Sequence, residues 1–306
     1  MEGILPLYKP KGITSHDCVF KLRKILKTKK IGHTGTLDPE VTGVLPICIG
    51  KATKIAEYIT DAGKTYEAEV TLGFSTTTED ATGDIVEKKT VTRPITRNEI
   101  LNVFEALTGE IVQTPPMFSA VKVGGVRLYE YARKGIEVER PSRTVTIYSI
   151  QLLDEQMEWT GDTITFRFKV ACSKGTYIRT LAVMIGDKLG YPAHMSNLVR
   201  IQSASFTLDD CFTLEEVSEM AEEGTVEEVL KPLETALSHL PKLKINDKVA
   251  EKVKNGALLD IPEYLKTCNG PIIAETKDGM AIAIYARHPN KPNLLKPVKV
   301  LRNELE

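Results

Sequence analysis

Alternating apolar and polar residues mark the clearest elements of the chain. Between residues 64 and 74, one face of an extended segment carries Tyr66, Ala68, Val70, Leu72 and Phe74, and polar residues occupy the other face. A period of two is typical of a strand with one buried face. The same alternation and short apolar runs predict strands over 44–49, 144–153 and 163–172. Turn residues between apolar segments predict one hairpin over 119–127 and another formed by 272–274 and 280–285.

Apolar residues that recur every three or four positions predict the helices. Val19, Leu22, Ile25 and Leu26 form such a stripe in a helix over 15–30, and a glycine-punctuated loop is expected over 31–43. Further helices are predicted over 96–107 and 176–189. Capping boxes that begin at Thr213 and Thr225 predict two acidic helices.

These elements indicate an α+β fold, because strands and helices are mixed without the regular alternation of βαβ units. After Pro241 the chain changes to short strands and turns. We therefore predict two domains, one over residues 1–240 and a smaller one over 241–306. The total length of 306 residues is consistent with two domains.

The charge of the chain is unevenly distributed. The formal net charge is −1, yet residues 207–240 alone carry −9, so the rest of the chain carries +8. A basic run lies at the start of the chain, and the last sixty-six residues are also basic. One basic run can be explained as a solvated, lysine-rich helix face. The presence of two basic regions instead favours a polyanionic partner.

The cysteines, the termini and the hydropathy point to a cytoplasmic protein. The five cysteines are scattered and odd in number, which is typical of reduced thiols and gives no disulfide or zinc spacing. No apolar run approaches the ~20 residues that cross a bilayer. The first eleven residues lack the apolar core of a signal peptide. We expect no membrane association and no metal site.

The most unusual segment is GHTGTLDP at residues 32–39, followed by Thr42-Gly43. Glycines let a backbone approach a ligand closely, and Asp38 precedes a proline that restricts its conformation. An Asx-turn at Asp38 is the structural alternative, because Asp-Pro commonly starts turns. The segment lacks the Gly-Lys-Ser/Thr that ends a P-loop, and it lacks the GxGxxG motif of a dinucleotide-binding site.

Three further segments have the composition of a binding site. They are Lys9-Pro10-x-Gly12-x-Thr14-Ser15, Lys64-Thr65-Tyr66, and residues 173–179 with the sequence SKGTYIR, which joins a predicted strand to a predicted helix. Backbone N–H groups at such a helix start bind anions. Core packing is the alternative for Tyr66; a helix-start cap and a surface charge are the alternatives for Tyr177 and Arg179.

Taken together, these segments resemble the TruB family of tRNA pseudouridine synthases over essentially the whole chain. The resemblance also rests on Thr76-x-Thr78-x-Asp80-x-x-Gly83 and Leu198-x-Arg200. It implies a pseudouridine-synthase fold with a mixed, mainly antiparallel sheet flanked by helices. The C-terminal residues resemble a PUA-type RNA-binding module, a small β-barrel.

The resemblance implies isomerisation of uridine 55 in the T-arm loop of tRNA to pseudouridine. The base is detached at N1, rotated and rejoined through C5, a reaction that needs no cofactor and no metal. Asp38 resembles the catalytic carboxylate, which must be ionised, and Arg179 resembles its ion-pair partner. The resemblance implies that Tyr66 stacks on the flipped base and that His33 fills the space left in the RNA loop. Tyr177 and Leu198 resemble further contacts of the pocket.

The implied partner is the T-arm stem-loop of tRNA, with no obligate protein partner. Lysines in the N-terminal basic run are expected to meet its phosphates, so that affinity falls with salt. They are Lys9, Lys21, Lys24, Lys27, Lys29 and Lys30.

Three other functions remain open at this point. A non-catalytic tRNA-folding chaperone would use the same surfaces but would not require Asp38. A structural subunit of an RNA–protein particle would resemble the archaeal and eukaryotic relatives, which carry longer basic extensions. A small-molecule enzyme built on Asp38 and His33 is the third, although the sequence contains no pattern of a cofactor site.

Overall fold

The computed structural model describes residues 1–303, so the last three residues of the predicted second domain lie outside the described part. Up to residue 240 the strands are β1 (Gly3–Lys9), β2 (Ile31–His33), β3 (Thr42–Ile49), β4 (Lys64–Leu72), β5 (Phe74–Thr76), β6 (Ile85–Lys88), β7 (Ile95–Thr96), β8 (Gly109–Gln113), β9 (Lys122–Val123), β10 (Val126–Arg127), β11 (Arg143–Leu152), β12 (Glu158–Trp159), β13 (Ile164–Cys172), β14 (Ala193–Ser203) and β15 (Phe206–Thr207). The helices are α1 (Ser15–Ile25), α2 (Ala56–Asp61), α3 (Arg97–Leu107), α4 (Leu128–Arg133), α5 (Ile178–Leu189), α6 (Leu214–Glu223), α7 (Val226–Val229) and α8 (Leu233–Ala236).

The C-terminal part adds one helix and five strands. They are β16 (Lys242–Lys244), α9 (Asp247–Val253), β17 (Leu259–Asp260), β18 (Ile272–Glu275), β19 (Ala281–His288) and β20 (Lys291–Val300). Short 3-10 turns cover Gly50–Ile55, Leu208–Asp210 and Glu263–Leu265. None of the helices within residues 1–303 is both long and apolar enough to cross a membrane.

The main sheet has the order β1-β3-β14-β4-β13-β11-β8, with β2 on β3 and β15 on β14. Its pairs are antiparallel except for β14 with β3, which run parallel. The predicted alternation is confirmed in β4 and β13, whose apolar side chains are buried on one face. Helices α3 and α5 cover that face; Phe104 of α3 packs against Phe166 and Phe168 with ring centroids 6.3 and 5.7 Å apart. The predicted mixed, mainly antiparallel sheet is therefore confirmed.

Helix α1 is shorter than the sequence predicted. A capping box of Thr14 and Asp17 starts it, but it ends at Ile25 instead of residue 30. Lys27 then adopts the left-handed φ of 50°, which turns the chain back. As a result Ile31 pairs with Ile49 and is buried, so residues 31–33, predicted as loop, form β2.

The two predicted capping boxes in the acidic stretch differ in outcome. Thr213 accepts from the N–H of Glu216 and starts α6, as predicted. Thr225 precedes the short helix α7 as predicted, but it makes no side-chain capping hydrogen bond, so the predicted capping box is wrong. The physical reason is that Gly224, in the left-handed conformation, ends α6 immediately before it, and the Thr225 N–H donates to the Met220 carbonyl at 2.9 Å to close that helix.

The C-terminal strands form a separate sheet in the order β16-β18-β19-β20-β17. The predicted hairpin around Asp278-Gly279 is present as β18 and β19. The sheet is curled into a half-barrel, which agrees with the expected PUA-like architecture and confirms the α+β fold class. The boundary at residue 240 stays a prediction.

A shared apolar cluster joins the C-terminal sheet to the main body. It contains Ile4, Val44, Ile59, Phe206 and Leu237 from the first part and Ile273, Ala281, Ile284 and Leu301 from the second. Polar contacts surround it: Arg302 pairs with Glu234 at 2.6 Å, and Lys54 donates to the Val300 carbonyl at 2.9 Å. The two parts therefore bury each other's apolar surface.

Candidate active site

One cavity of about 300 Å³ brings together most of the residues singled out from the sequence. Asp38, Tyr66, Tyr177, Arg179 and Leu198 all line it. They come from the loop before β3, from β4, from the start of α5 and from β14. Segments more than a hundred residues apart in the sequence thus converge on one space beside the central strands β4 and β14 of the main sheet.

The loop that carries Asp38 is fixed from beneath by buried polar side chains. The Ser15 hydroxyl accepts from the Leu37 N–H at 2.9 Å, and Thr34 donates through Oγ1 to the Pro46 carbonyl at 3.1 Å. The Val41 N–H donates to the Asp38 carbonyl at 3.0 Å. These bonds hold the loop backbone and leave the Asp38 carboxylate, 43% exposed, facing the cavity.

Lys9 belongs to this support and not to an RNA-binding surface. Its side chain is fully buried, and Nζ donates to the carbonyls of Pro10, Pro39 and Val41 at 2.9, 3.0 and 2.8 Å. Burial lowers the pKa of this ammonium group. The expectation that Lys9 contacts phosphate is therefore wrong: its three donors are used inside the protein, where they fix both sides of the Asp38 loop.

The Asp38 carboxylate is paired with a buried arginine. Arg179 Nη2 lies 3.1 Å from Asp38 Oδ2, and the arginine is only 5% exposed. Its remaining donors bind the carbonyls of Thr78 and Phe118, each at 2.9 Å. Within residues 1–303 the carboxylate forms an ion pair with Arg179 and accepts no hydrogen bond from an N–H of its own turn, so the Asx-turn alternative does not describe Asp38.

Tyr66 is both a core residue and a wall of the cavity. It is 9% exposed, packs in the main apolar cluster and lines the cavity with the rest of its surface. Burial raises the pKa of its hydroxyl, against the opposing effect of the positive charge of Arg200, its cross-strand neighbour on β14. The hydroxyl is therefore a neutral donor at neutral pH.

His33 lies in β2, and within the described residues it does not line the cavity. Its Nδ1 is buried and has no hydrogen-bond partner among residues 1–303. Burial, with the nearby charges of Arg200 and His16, lowers the pKa of the imidazole. The ring is thus held neutral beside the loop that carries Asp38.

The other lysines of the basic run are on the surface. Lys21, Lys24, Lys27, Lys29 and Lys30 are all exposed. Lys24 lies 4.5 Å above the ring of Phe20, itself 52% exposed. This basic surface, formed by those five lysines, is available for phosphate contacts.

Several residues of the cavity were not given a role by the sequence. Arg200 is 1% exposed and donates to the carbonyls of Val44 and Gly35 at 2.7 and 3.1 Å. Lys64 donates to the carbonyls of Thr60 and Ala62, and burial lowers its pKa to about 8. Ser119 and Arg143 also line the cavity. The family motifs contained Lys64 and Arg200, whereas nothing in the local sequence marks Ser119 or Arg143.

The cavity combines a fixed carboxylate, a phenol and several cationic groups. Within residues 1–303, no group of three or more His, Cys, Asp or Glu side chains is placed to hold a metal ion. The five cysteines are free. The cationic groups suit an anionic substrate.

Comparison with known families identifies the family of this chain. The model of the N-terminal domain of TruB family pseudouridylate synthases matches residues 23–178, and that of the tRNA pseudouridylate synthase B C-terminal domain matches residues 179–238. The chain belongs to the TruB family. It is therefore a pseudouridine synthase, an isomerase, as the sequence motifs predicted.

Relatives and solved structures agree with this assignment. A Geobacillus thermodenitrificans protein named tRNA pseudouridine synthase B is 62% identical over 302 residues, 99% of this chain and 100% of that one. A Bacillus cereus protein of the same name is 59% identical over 306 residues, 100% of this chain and 99% of that one.

Among solved structures, a chain in the crystal structure of a Cbf5-Nop10-Gar1 complex is 30% identical with a TM-score of 0.76, covering 98% of this chain and 85% of that one. A chain of an H/ACA RNP bound to a substrate RNA containing 2′-deoxyuridine is 26% identical, with a TM-score of 0.72 and the same coverage. The TruB-family fold, expected from the motifs, is confirmed.

Proposed function

We propose that this enzyme isomerises uridine 55 in the T-arm loop of tRNA to pseudouridine, with Asp38 as the catalytic carboxylate. The observation that carries the proposal is the Asp38 carboxylate, held by the buried Arg179 at 3.1 Å and directed into the cavity. The names of the relatives supply the class of RNA. A tRNA substrate implies a cytoplasmic location.

In the proposed reaction the C1′–N1 bond of the uridine breaks, the bound base rotates, and a C1′–C5 bond forms. The proton leaves C5 and a proton is gained at N1, so no atoms are lost and no redox partner is needed. The carboxylate of Asp38 provides the negative charge or the nucleophile that such an intermediate requires. Arg179 keeps this carboxylate at one position while the base turns.

The target uridine must leave the RNA loop to reach Asp38. Flipping a base costs a few kcal/mol, and stacking on an aromatic ring returns about 1–3 kcal/mol per base. Tyr66 is proposed to provide that stack, with Tyr177 and Leu198 as further contacts. A cavity of about 300 Å³ is at the small end of ligand sites, which suits one nucleoside. His33 is proposed to occupy the space that the flipped base leaves.

The phosphates of the T arm are proposed to bind Lys21, Lys24, Lys27, Lys29 and Lys30, and the C-terminal PUA-like sheet is proposed to extend that contact. Such binding weakens with salt, because each neutralised phosphate releases counterions. Deleting the residues after Pro241 is not a clean test of the second contact. It would expose the apolar cluster that Ile273, Ile284 and Leu301 share with the main body.

The decisive experiment maps pseudouridine at single-nucleotide resolution after incubation of the protein with unmodified tRNA. We expect one modified position, uridine 55. The Asp38→Asn variant should lose roughly 10⁴-fold or more in rate, the scale for removing a catalytic side chain, while its tRNA affinity and unfolding stay close to the parent. Glu40→Gln is the matched control, because Glu40 is two residues away and its one salt bridge within residues 1–303 is to the exposed Lys11.

Two outcomes would contradict the proposal. Pseudouridine at another nucleotide, with none at position 55, would overturn the substrate site. Appreciable product from Asp38→Asn would overturn the role of the carboxylate. A folded parent that binds tRNA and yields no pseudouridine would instead favour the chaperone alternative.

A further inference from the structure

Arg143 is an unpaired guanidinium in the wall of the active-site cavity. It begins β11 and lines the cavity with Asp38 and Tyr66. The other two arginines of the cavity, Arg179 and Arg200, bind carboxylate or carbonyl oxygens. Among residues 1–303, by contrast, Arg143 has no salt bridge and no side-chain hydrogen bond, and its buried Nε lacks any partner.

The surrounding residues hold Arg143 in place without neutralising it. Its Cζ lies 4.9 Å from the centroid of the Tyr177 ring, a cation–π contact. Gly175, with φ +80°, also lies close: an added Cβ would be 3.1 Å from Cζ and Nη1. The backbone conformation favours glycine there, and a larger residue would push the guanidinium from its present position.

The ring of Tyr177 is itself fixed through its backbone. Gln113, 1% exposed, accepts from the Tyr177 N–H at 3.0 Å and donates to the Tyr177 carbonyl at 3.2 Å. Gln113 is also the residue opposite Arg143 in the pairing of β8 with β11. The sheet thus sets the position of the arginine and of the ring on which it lies.

The local electrostatics favour an anion at Arg143. Arg143 is half-buried, and its Nε is buried without a partner among residues 1–303. A buried donor that lacks an acceptor is costly, so this position favours an acceptor in the cavity. Helix α5 starts next to it, with no side-chain cap and no acidic residue in its first turn, which adds the positive end of a helix dipole. The Ser119 hydroxyl, 6% exposed and without a partner among the described residues, lines the same cavity.

We propose that Arg143 binds a backbone phosphate directly next to the flipped uridine, through the free edge of the guanidinium whose face lies on Tyr177. This inference rests on the proposed function to the extent that the substrate is RNA. A guanidinium presents a planar fork of donors that matches phosphate oxygens. Fixing that phosphate would fix the sugar of the target nucleotide relative to Asp38 while the base rotates.

The first test compares Arg143→Gln with Arg143→Lys in binding to a synthetic T-arm stem-loop at several salt concentrations. For Arg143→Gln we expect the slope of log K against log salt to fall by about 1, the amount expected for one lost phosphate contact. Arg143→Lys should keep the slope and lose part of the affinity, because an ammonium lacks the planar fork. The control is Arg167→Gln, which removes a charge from an exposed arginine paired with Asp154, away from the cavity.

The second test identifies the phosphate. Stem-loops are made with a neutral methylphosphonate on the 5′ or the 3′ side of the target uridine. At one of these linkages the neutral group should weaken binding by the parent about tenfold, the scale of one charge-assisted hydrogen bond. At that linkage Arg143→Gln should cause no further loss.

The outcomes separate this inference from the proposed function. Two results would show that Arg143 does not bind a flanking phosphate. In the first, Arg143→Gln weakens binding by the same factor whether the linkage is natural or neutral, at both positions. In the second, the salt slope of Arg143→Gln equals that of Arg167→Gln. Pseudouridine is measured in the same samples with the parent protein. Absence of product from an RNA that still binds would refute the proposed function, and the binding cycle would still decide the role of Arg143.

Discussion

The two sides of the cavity differ in how their backbones are held. On one side, which we call the carboxylate wall (residues 34–41), buried side chains of Lys9, Ser15 and Thr34 bind the backbone from beneath. On the other, Ser119 and Ala120 line the cavity and begin the segment that we call the hairpin wall (residues 119–127). Its two-residue strands β9 and β10 have only partly or fully exposed side chains.

The two walls therefore differ in how firmly their backbones are held. The carboxylate must keep one position relative to the base, and buried, fully used donors restrict the backbone that carries it. The hairpin wall has few buried contacts, and Tyr131, which donates to the Val123 carbonyl at 3.1 Å, is one of its small number of side-chain ties. Regions with few buried contacts open at low free-energy cost. The structure therefore combines a fixed wall with an adaptable one.

The largest expected effect is on Lys9. Lys9→Met keeps an unbranched side chain of similar length but leaves the carbonyls of Pro10 and Val41 without their donor, while the Pro39 carbonyl still accepts from the Gly12 N–H. Each buried unsatisfied group costs about 1–3 kcal/mol, so the free energy of unfolding should fall by about 3 kcal/mol. Urea unfolding measures it, with Lys11→Met as the control, because Lys11 is exposed and pairs with Glu40. A change below about 0.5 kcal/mol, the usual surface effect, would show that the carboxylate wall is not held in this way.

A second effect concerns pH and Lys64, whose amine donates to the carbonyls of Thr60 and Ala62 at the edge of the carboxylate wall. Burial lowers its pKa from 10.5 to about 8 in the folded protein. Between these values the unfolded chain binds a proton that the folded chain does not, so stability rises with pH. We therefore compare the free energies of unfolding of the parent and of Lys64→Met at each pH. The difference, parent minus variant, should increase by about 3 kcal/mol between pH 8 and pH 10.5. A difference that stays flat over this range would mean that Lys64 is solvated.

The smallest expected effect lies on the hairpin wall. Tyr131→Phe removes a partly buried hydrogen bond to the Val123 carbonyl. We expect a loss of roughly 1 kcal/mol or less in the free energy of unfolding, the net contribution of an ordinary hydrogen bond. Urea unfolding of Tyr131→Phe and of Lys9→Met under the same conditions compares the two losses directly. Equal losses for the two variants would remove the distinction between the walls.

The sequence predicted the strands whose apolar side chains alternate, such as β4 and β13, and missed those in which buried polar residues interrupt the pattern. Strand β1 ends in the buried Lys9, and β14 contains the buried His194 and Arg200. A charged residue in a sequence is normally exposed. Burial of these side chains depends on carbonyl partners that come from other segments, which no local pattern indicates.

The sequence predicted the site residues that belong to recognisable local motifs. Asp38, Tyr66, Tyr177, Arg179 and Leu198 stand in recognisable segments, and the structure brings them to one cavity. Lys9 stood in such a segment too, but its direction depends on the Pro39 and Val41 carbonyls, thirty residues later. Arg143 is an isolated arginine at the start of a strand, and its proximity to Gly175 and Tyr177 results only from the packed fold.

The apolar cluster shared by the two parts of the molecule has a consequence for how the chain folds. It joins Ile4 and Val44 to Ile284 and Leu301, which lie more than 200 residues later in the chain. Strand β3 likewise needs β14, about 150 residues later, as its parallel neighbour. Contacts of such long sequence separation slow folding. On the ribosome, apolar surface of β1 and β3 therefore stays uncovered until these later segments emerge, a period in which the nascent chain is exposed to aggregation and to chaperones.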